Sequence, residues 1–229
     1  MPAEVRRFAD ADELGVELAR EIVDNVPSLL GCPGGRSLVS TYRGLARSGA
    51  DMSATTIVMM DEYVPVPPAS AHHSCRGFAL REIARPLRIP DERVWVPDPD
   101  DPAAFDDRIA AAGGIDLFLL ASGASDGHVA FLPPGSPLYG RTSVVELAES
   151  TRRDNLVTFP EFGSIHEVPR FGVSVGLGTI LGARALRLVL HGEDKRYAAE
   201  RLLGLERFDP SWPASIMHEH ADAQILLAP

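Results

Sequence analysis

The chain has 229 residues, 45% of them hydrophobic, with 22 basic and 32 acidic side chains and a net charge of −10. That length and apolar share fit one medium domain over residues 1–229, and the acidic balance opposes binding to nucleic acid or to anionic membranes. Cys32 and Cys75 have neither metal nor redox spacing, the first residues carry no apolar leader, and no apolar run reaches membrane-spanning length, so a soluble, cytoplasmic protein is expected.

Asp10 with Glu13 makes a capping-box pattern, and Leu14, Leu18, Ile22 and Val26 recur every fourth residue, which predicts an amphipathic helix ended by Pro27. A short strand through Leu29 and Leu30 follows, then a glycine loop from Gly31 to Gly35 and a helix from about Ser37 to Arg47 closed by Gly49. Thr55 to Met60 reads as a β-branched and apolar strand ending at Asp61, followed by a proline-rich loop and a helix from Ser74 to Ala84. The alternation continues with a strand at Val94 to Val96, a helix from about Pro102 to Ala112, and an apolar strand from Asp116 to Ala121. Pro133 to Pro169 is less regular. Beyond it come a strand from Gly172 to Val175, a short helix after Gly178, a strand from Leu186 to Leu190, a helix from Asp194 to Leu203, and a last strand from Gln224 to Leu227. Strands alternating with helices over short connections predict an α/β fold with a mostly parallel sheet covered on both faces.

Chemistry-bearing residues gather where the predicted strands end. Gly31-Cys32-Pro33-Gly34-Gly35-Arg36-Ser37 lies between a strand and a helix, where amides without neighbouring Cβ atoms can close on an anion, and Arg36 and Ser37 add donors. A tight turn with a helix cap explains the same residues equally well. The segment matches neither the P-loop nor the G-x-G-x-x-G spacing, so a nucleotide is disfavoured. Asp61 and Glu62 follow directly on a buried strand, where a partly desolvated carboxylate can carry a proton, and Asp61 is the nearer of the two.

Asp126-Gly127-His128 pairs a carboxylate with an imidazole in a glycine-rich loop after the long apolar strand, an arrangement suited to moving protons between oxygens. Lys195, in the first turn of a predicted helix, is placed to neutralise a phosphate, although a surface lysine is the plainer reading. His72-His73 has no partner carboxylate at helical spacing and no metal-binding motif occurs, so no metal is expected.

Five segments in order, G-C-P-G-G-R-S-L-V-S-T-Y-R-G-L from Gly31, M-D-E-Y-V from Met60, D-G-H-V-A-F from Asp126, V-G-L-G-T-I-L from Val175 and H-G-E-D-K from His191, give the chain its resemblance to a known family. P-A-S-I-M-H-E-H from Pro213 looks like the closing segment. Together they resemble the glucosamine-6-phosphate deaminase/isomerase family, whose broader relatives include the 6-phosphogluconolactonases. Tyr63 and the D-G-H-V-A-F run look more like the deaminase branch.

The resemblance implies a three-layer α/β/α sandwich of Rossmann-like topology and a phosphorylated sugar as substrate, with no cofactor. Gly34, Gly35, Arg36, Ser37, Lys195 and Arg152 then match phosphate-binding positions, with Glu62 beside the substrate. Asp61 matches the base that moves a proton between C2 and C1, His128 the group that opens the ring, and Asp126 its supporting carboxylate. Two departures stand out. Pro133 occupies the position of a family glutamate that supports the histidine, and Val157 replaces a later arginine. Proline has no ionisable group and no N–H, so the relay is weakened, rerouted or unnecessary. The sequence therefore leaves open a deaminase or aldose–ketose isomerase, a sugar-phosphate lactonase, and a non-catalytic sugar-phosphate sensor, and self-association into a homo-oligomer is equally open.

Overall fold

The computed structural model describes residues 3–229. In chain order these form β1 (Glu4–Arg7), α1 (Ala11–Asp24), β2 (Leu29–Cys32), α2 (Val39–Ser48), β3 (Thr56–Met59), β4 (Asp61–Val64) and α3 (Cys75–Phe78), which runs on as a π-helical segment (Ala79–Ala84). Then follow β5 (Val94–Trp95), α4 (Pro102–Ala111), β6 (Leu117–Ala121), β7 (Ser143–Glu146), α5 (Glu149–Thr158), β8 (Phe171–Ser174), α6 (Leu177–Leu181), β9 (Ala185–His191), α7 (Arg196–Leu203) and β10 (Ala223–Ala228). The first helix starts as its sequence demands: Asp10 Oδ1 accepts from the N–H groups of Asp12 and Glu13, and Glu13 reaches back to Ala9 N–H.

Seven strands form one parallel sheet in the order β1-β10-β9-β6-β2-β3-β5. Strand alternation sends successive residues into two cores. Leu30, Ile57, Met59, Leu117 and Leu119 join Leu14, Leu18, Tyr42, Leu45 and Phe78 on one side. Leu29, Val58, Phe118 and Leu120 join Phe105, Ile109, Ile180, Ala198 and Leu202 on the other. Helices α1, α2 and α3 thus cover one face and α4, α6 and α7 the other, which is the expected three-layer α/β/α arrangement. Close packing across neighbouring strands dictates Gly31, because a Cβ there would lie 2.4 Å from the ring of its β6 register partner Phe118.

From β2 the chain winds outward through β3 to β5, and from β6 it winds the opposite way through β9 to β10. The winding reverses between the neighbours β2 and β6, and ligands of open α/β sheets collect outside the carboxyl ends of strands at such a point.

The structure departs from the sequence expectation in three places. Residues after Asp61 are not a loop but β4, which pairs antiparallel with β8, and β8 pairs in turn with β7 in a separate three-stranded sheet. The strand anticipated near Gly172 therefore belongs to this small sheet and not to the parallel one. The middle of the chain holds β7 and α5, although α5 buries only Thr151 and so shows no apolar stripe. The N-terminal edge strand β1, with three of its four residues charged, was also not anticipated.

Candidate active site

Four adjacent strands of the parallel sheet, β9, β6, β2 and β3, discharge their carboxyl ends around one cavity of about 270 Å³. Gly34, Gly35, Arg36 and Ser37 line it from the loop after β2, Asp61 from the end of β3, His128 from the loop after β6, and Lys195 from the turn after β9. The volume is close to the ~300 Å³ at which small-molecule pockets begin.

The glycine loop is built as an open amide cradle. Among the described residues the N–H groups of Gly34, Gly35, Arg36 and Ser37 have no backbone partner, and Gly35 adopts a φ of 87° that favours glycine. Tyr42 Oη donates to Pro33 O at 2.9 Å and pins the loop from below. Lys195 Nζ donates to Ser122 O at 2.8 Å, which holds the ammonium at the end of β6. Burial lowers the Lys195 pKa from its ordinary value, with the charge of Arg36 adding to this and those of Asp154, Asp194 and Asp126 opposing it. Asp154 and Asp194 also line the cavity, and Asp194 lies 3.5 Å from Arg36 in an exposed ion pair. The cationic end of the site is therefore partly neutralised by its own carboxylates.

Asp61 is almost fully buried, and desolvation pushes its carboxyl up to about 7, with the charge of Glu62 adding and a hydrogen bond from Cys75 opposing. The bond runs from Cys75 Sγ to Asp61 Oδ1 at 3.3 Å. A carboxylate poised near neutrality inside a cavity is equipped to take and return a proton. Because β4 is a strand, Asp61 and Tyr63 share the cavity face and Glu62 points away.

Asp126 orients His128. Its Oδ1 accepts from His128 N–H at 3.1 Å and lies 2.8 Å from the ring Nδ1, while Oδ2 accepts from the Ser150 hydroxyl. Thr151 Oγ1 is 3.2 Å from the same ring nitrogen. Desolvation raises the Asp126 carboxyl, but the hydrogen bond and charge of His128 and the Ser150 bond outweigh it and hold the group well below the usual carboxylate range. An ionised Asp126 fixes the proton on Nδ1 and leaves Nε2 to exchange one in the cavity. Gly123 is obligatory beneath this pair, because a Cβ would lie 2.1 Å from His128 Nδ1 and 2.5 Å from Asp126 Oδ1.

Three expected site residues do not line the cavity: Asp126, which reaches it only through His128, and Glu62 and Arg152. Glu62 instead holds the start of α3, with Oε1 accepting from Tyr63 N–H and Cys75 N–H and Oε2 from Arg76 N–H and Ser74 Oγ. Arg152 spends its guanidinium on the carbonyls of Ile165 and Val168. Its side chain ties α5 to the following loop through its Nε and Nη2 donors. Pro133 also falls outside the lining, and its carbonyl accepts from Ser136 N–H and Oγ. Cys75, Asp154, Asn155 and Thr158 enter the wall without having been singled out by sequence. Only their arrival from α3 and α5 reveals them.

The family model described as glucosamine-6-phosphate isomerases/6-phosphogluconolactonase matches residues 9–226. A protein of Shouchella clausii named glucosamine-6-phosphate deaminase is 30% identical over 97% of this chain and 92% of its own length. One of the same name from Arthrobacter is 40% identical over 75% of this chain and 68% of its own. A solved monomeric glucosamine-6-phosphate deaminase superposes with a TM-score of 0.91 at 27% identity, covering 98% of this chain and 97% of that one. A 6-phosphogluconolactonase from Thermotoga maritima shares the fold at a TM-score of 0.76 and 16% identity, over 99% of each chain.

Proposed function

Because the chain belongs to the family of glucosamine-6-phosphate isomerases and 6-phosphogluconolactonases, we propose that it converts a phosphorylated amino sugar by proton transfer, as a deaminase or aldose–ketose isomerase. The phosphate rests on the amides of Gly34 to Ser37, with Lys195 and Arg36 supplying charge. His128 Nε2 takes the anomeric hydroxyl proton and returns one to the ring oxygen, which opens the ring. Asp61 removes the proton from C2, exchanges it with water and protonates C1, and ammonia leaves as water hydrolyses the resulting C2 imine. The observation that carries this reading is the meeting of Asp61, poised near neutrality, with the Asp126–His128 pair and the amide cradle in one cavity.

Pro133 favours a second reading. A lactonase needs only an imidazole to activate water, so a missing carboxylate beyond Phe131 costs it nothing, and Glu62 cannot replace that group from the far face of β4. Supplying the purified protein with glucosamine 6-phosphate and with 6-phosphogluconolactone separates the two. Release of ammonia with fructose 6-phosphate supports the proton-transfer enzyme. Lactone hydrolysis alone overturns it, and binding of both without turnover would identify a sensor.

A further inference from the structure

Glu62 does not face the cavity, yet what it holds does. Its two carboxylate oxygens gather four donors: Tyr63 N–H at 3.0 Å, Cys75 N–H at 3.0 Å, Arg76 N–H at 2.9 Å and the Ser74 hydroxyl at 3.1 Å. Ser74 in turn accepts from Gly77 N–H and caps α3. The start of α3 is thereby bound to β4, one residue from Asp61. The turn before it is close-packed as well, since a Cβ on Gly77 would lie 2.1 Å from the Ala69 carbonyl oxygen.

Cys75 is the first residue of α3. Its side chain is buried, lines the same cavity as Asp61, and ends 3.3 Å from Asp61 Oδ1. We propose that Cys75, clamped through its own amide by Glu62, is a positioning residue that aims the Asp61 carboxylate and sets its basicity. The proposal rests on Asp61 being the base of the reaction above.

A thiol is a weak donor, so it can hold one carboxylate oxygen in place while stabilising the anion little. Serine there would make a stronger bond to the anion and weaken the base, and alanine would leave Asp61 Oδ1 without that donor. The titratable or charged groups facing Asp61 are few. Glu62 and Tyr63 lie on its own strand and Cys75 on α3. Across the cavity stand His128, Arg36, Lys195, Asp154 and Asp194, while the register partner on β8 is the uncharged Ser174. Cys75 alone among them hydrogen-bonds the Asp61 carboxylate.

The test is the pH dependence of kcat/KM for the wild type, Cys75→Ala and Cys75→Ser, with Asp61→Asn as the control. Cys75→Ala should move the acid limb up by about half a pH unit or more and lower kcat with KM little changed. Cys75→Ser should return the limb to the wild-type position or below it. A limb that stays in place in Cys75→Ala, or a Cys75→Ser limb that coincides with that of Cys75→Ala, overturns the proposal. Turnover that survives in Asp61→Asn would instead remove the base itself, which separates the two failures. Should the position-75 variants not fold, the thiol band in the infrared spectrum of the wild type decides. It should shift to lower frequency as Asp61 ionises and stay fixed in Asp61→Asn, and a band insensitive to pH in the wild type refutes the contact.

Discussion

Asp61→Asn should abolish turnover and at the same time stabilise the protein above neutral pH. Burial raises the Asp61 carboxyl from its ordinary 3.8 to about 7. Well below its unfolded value of 3.8 the group is protonated in both folded and unfolded chains, and its ionisation does not affect stability. As the pH climbs towards 7 the unfolded chain gives up the proton while the folded chain retains it. The stability present at low pH is therefore lost progressively, and the loss is complete once the folded group ionises. At about 1.4 kcal/mol per pH unit, the full interval amounts to about 4 kcal/mol. Asparagine keeps the shape without the charge, so the variant should escape this loss. Urea unfolding of both proteins from pH 4 to pH 8 measures it, because all other titrating groups cancel in the difference between them. The stability of the variant relative to the wild type should grow with pH by about 4 kcal/mol and level off above pH 7. A difference independent of pH would mean that Asp61 ionises as an ordinary surface carboxylate, and the argument for a desolvated base would fail.

Gly123→Ala places a Cβ where His128 Nδ1 and Asp126 Oδ1 now approach to 2.1 and 2.5 Å, so the pair must separate. Its kcat should fall by about 10²- to 10⁴-fold, the usual worth of a general acid–base, while phosphate binding persists; wild-type turnover would show that the pair is not used. Asp194→Asn frees Arg36 from its exposed partner and should tighten competitive inhibition by inorganic phosphate about two- to fivefold, in keeping with the small energies of surface ion pairs. Unchanged or weaker inhibition would mean that Arg36 does not serve the anion.

Apart from its edge strand β1, the parallel sheet was legible because its signals are local. Asp10 and Glu13 cap a helix whose apolar residues recur every fourth position, and Leu117 to Ala121 is an uninterrupted apolar run with glycines beyond it. The small sheet was not legible. Asp61-Glu62-Tyr63-Val64, with two acids and a proline after it, reads as a loop, and only pairing with Phe171–Ser174 makes it a strand. That one omission explains the expectation for Glu62, since the parity that turns it away from the cavity exists only once β4 is a strand. Arg152 misled for a related reason: α5 has almost no buried residue, so nothing in its pattern showed which way the arginine points. Cys75 meets Asp61 through α3, and neither residue type nor spacing announces that contact.

The fate of the hydrogen at C2 tests the role of Asp61 most directly. Wild type and Asp61→Asn are incubated with glucosamine 6-phosphate in deuterium oxide, and NMR follows C1 of the product and C2 of the recovered sugar. Deuterium should enter with the wild type and be absent with the variant, while inorganic phosphate binds both alike. Equal incorporation by the two proteins would contradict the assignment of Asp61 as the base.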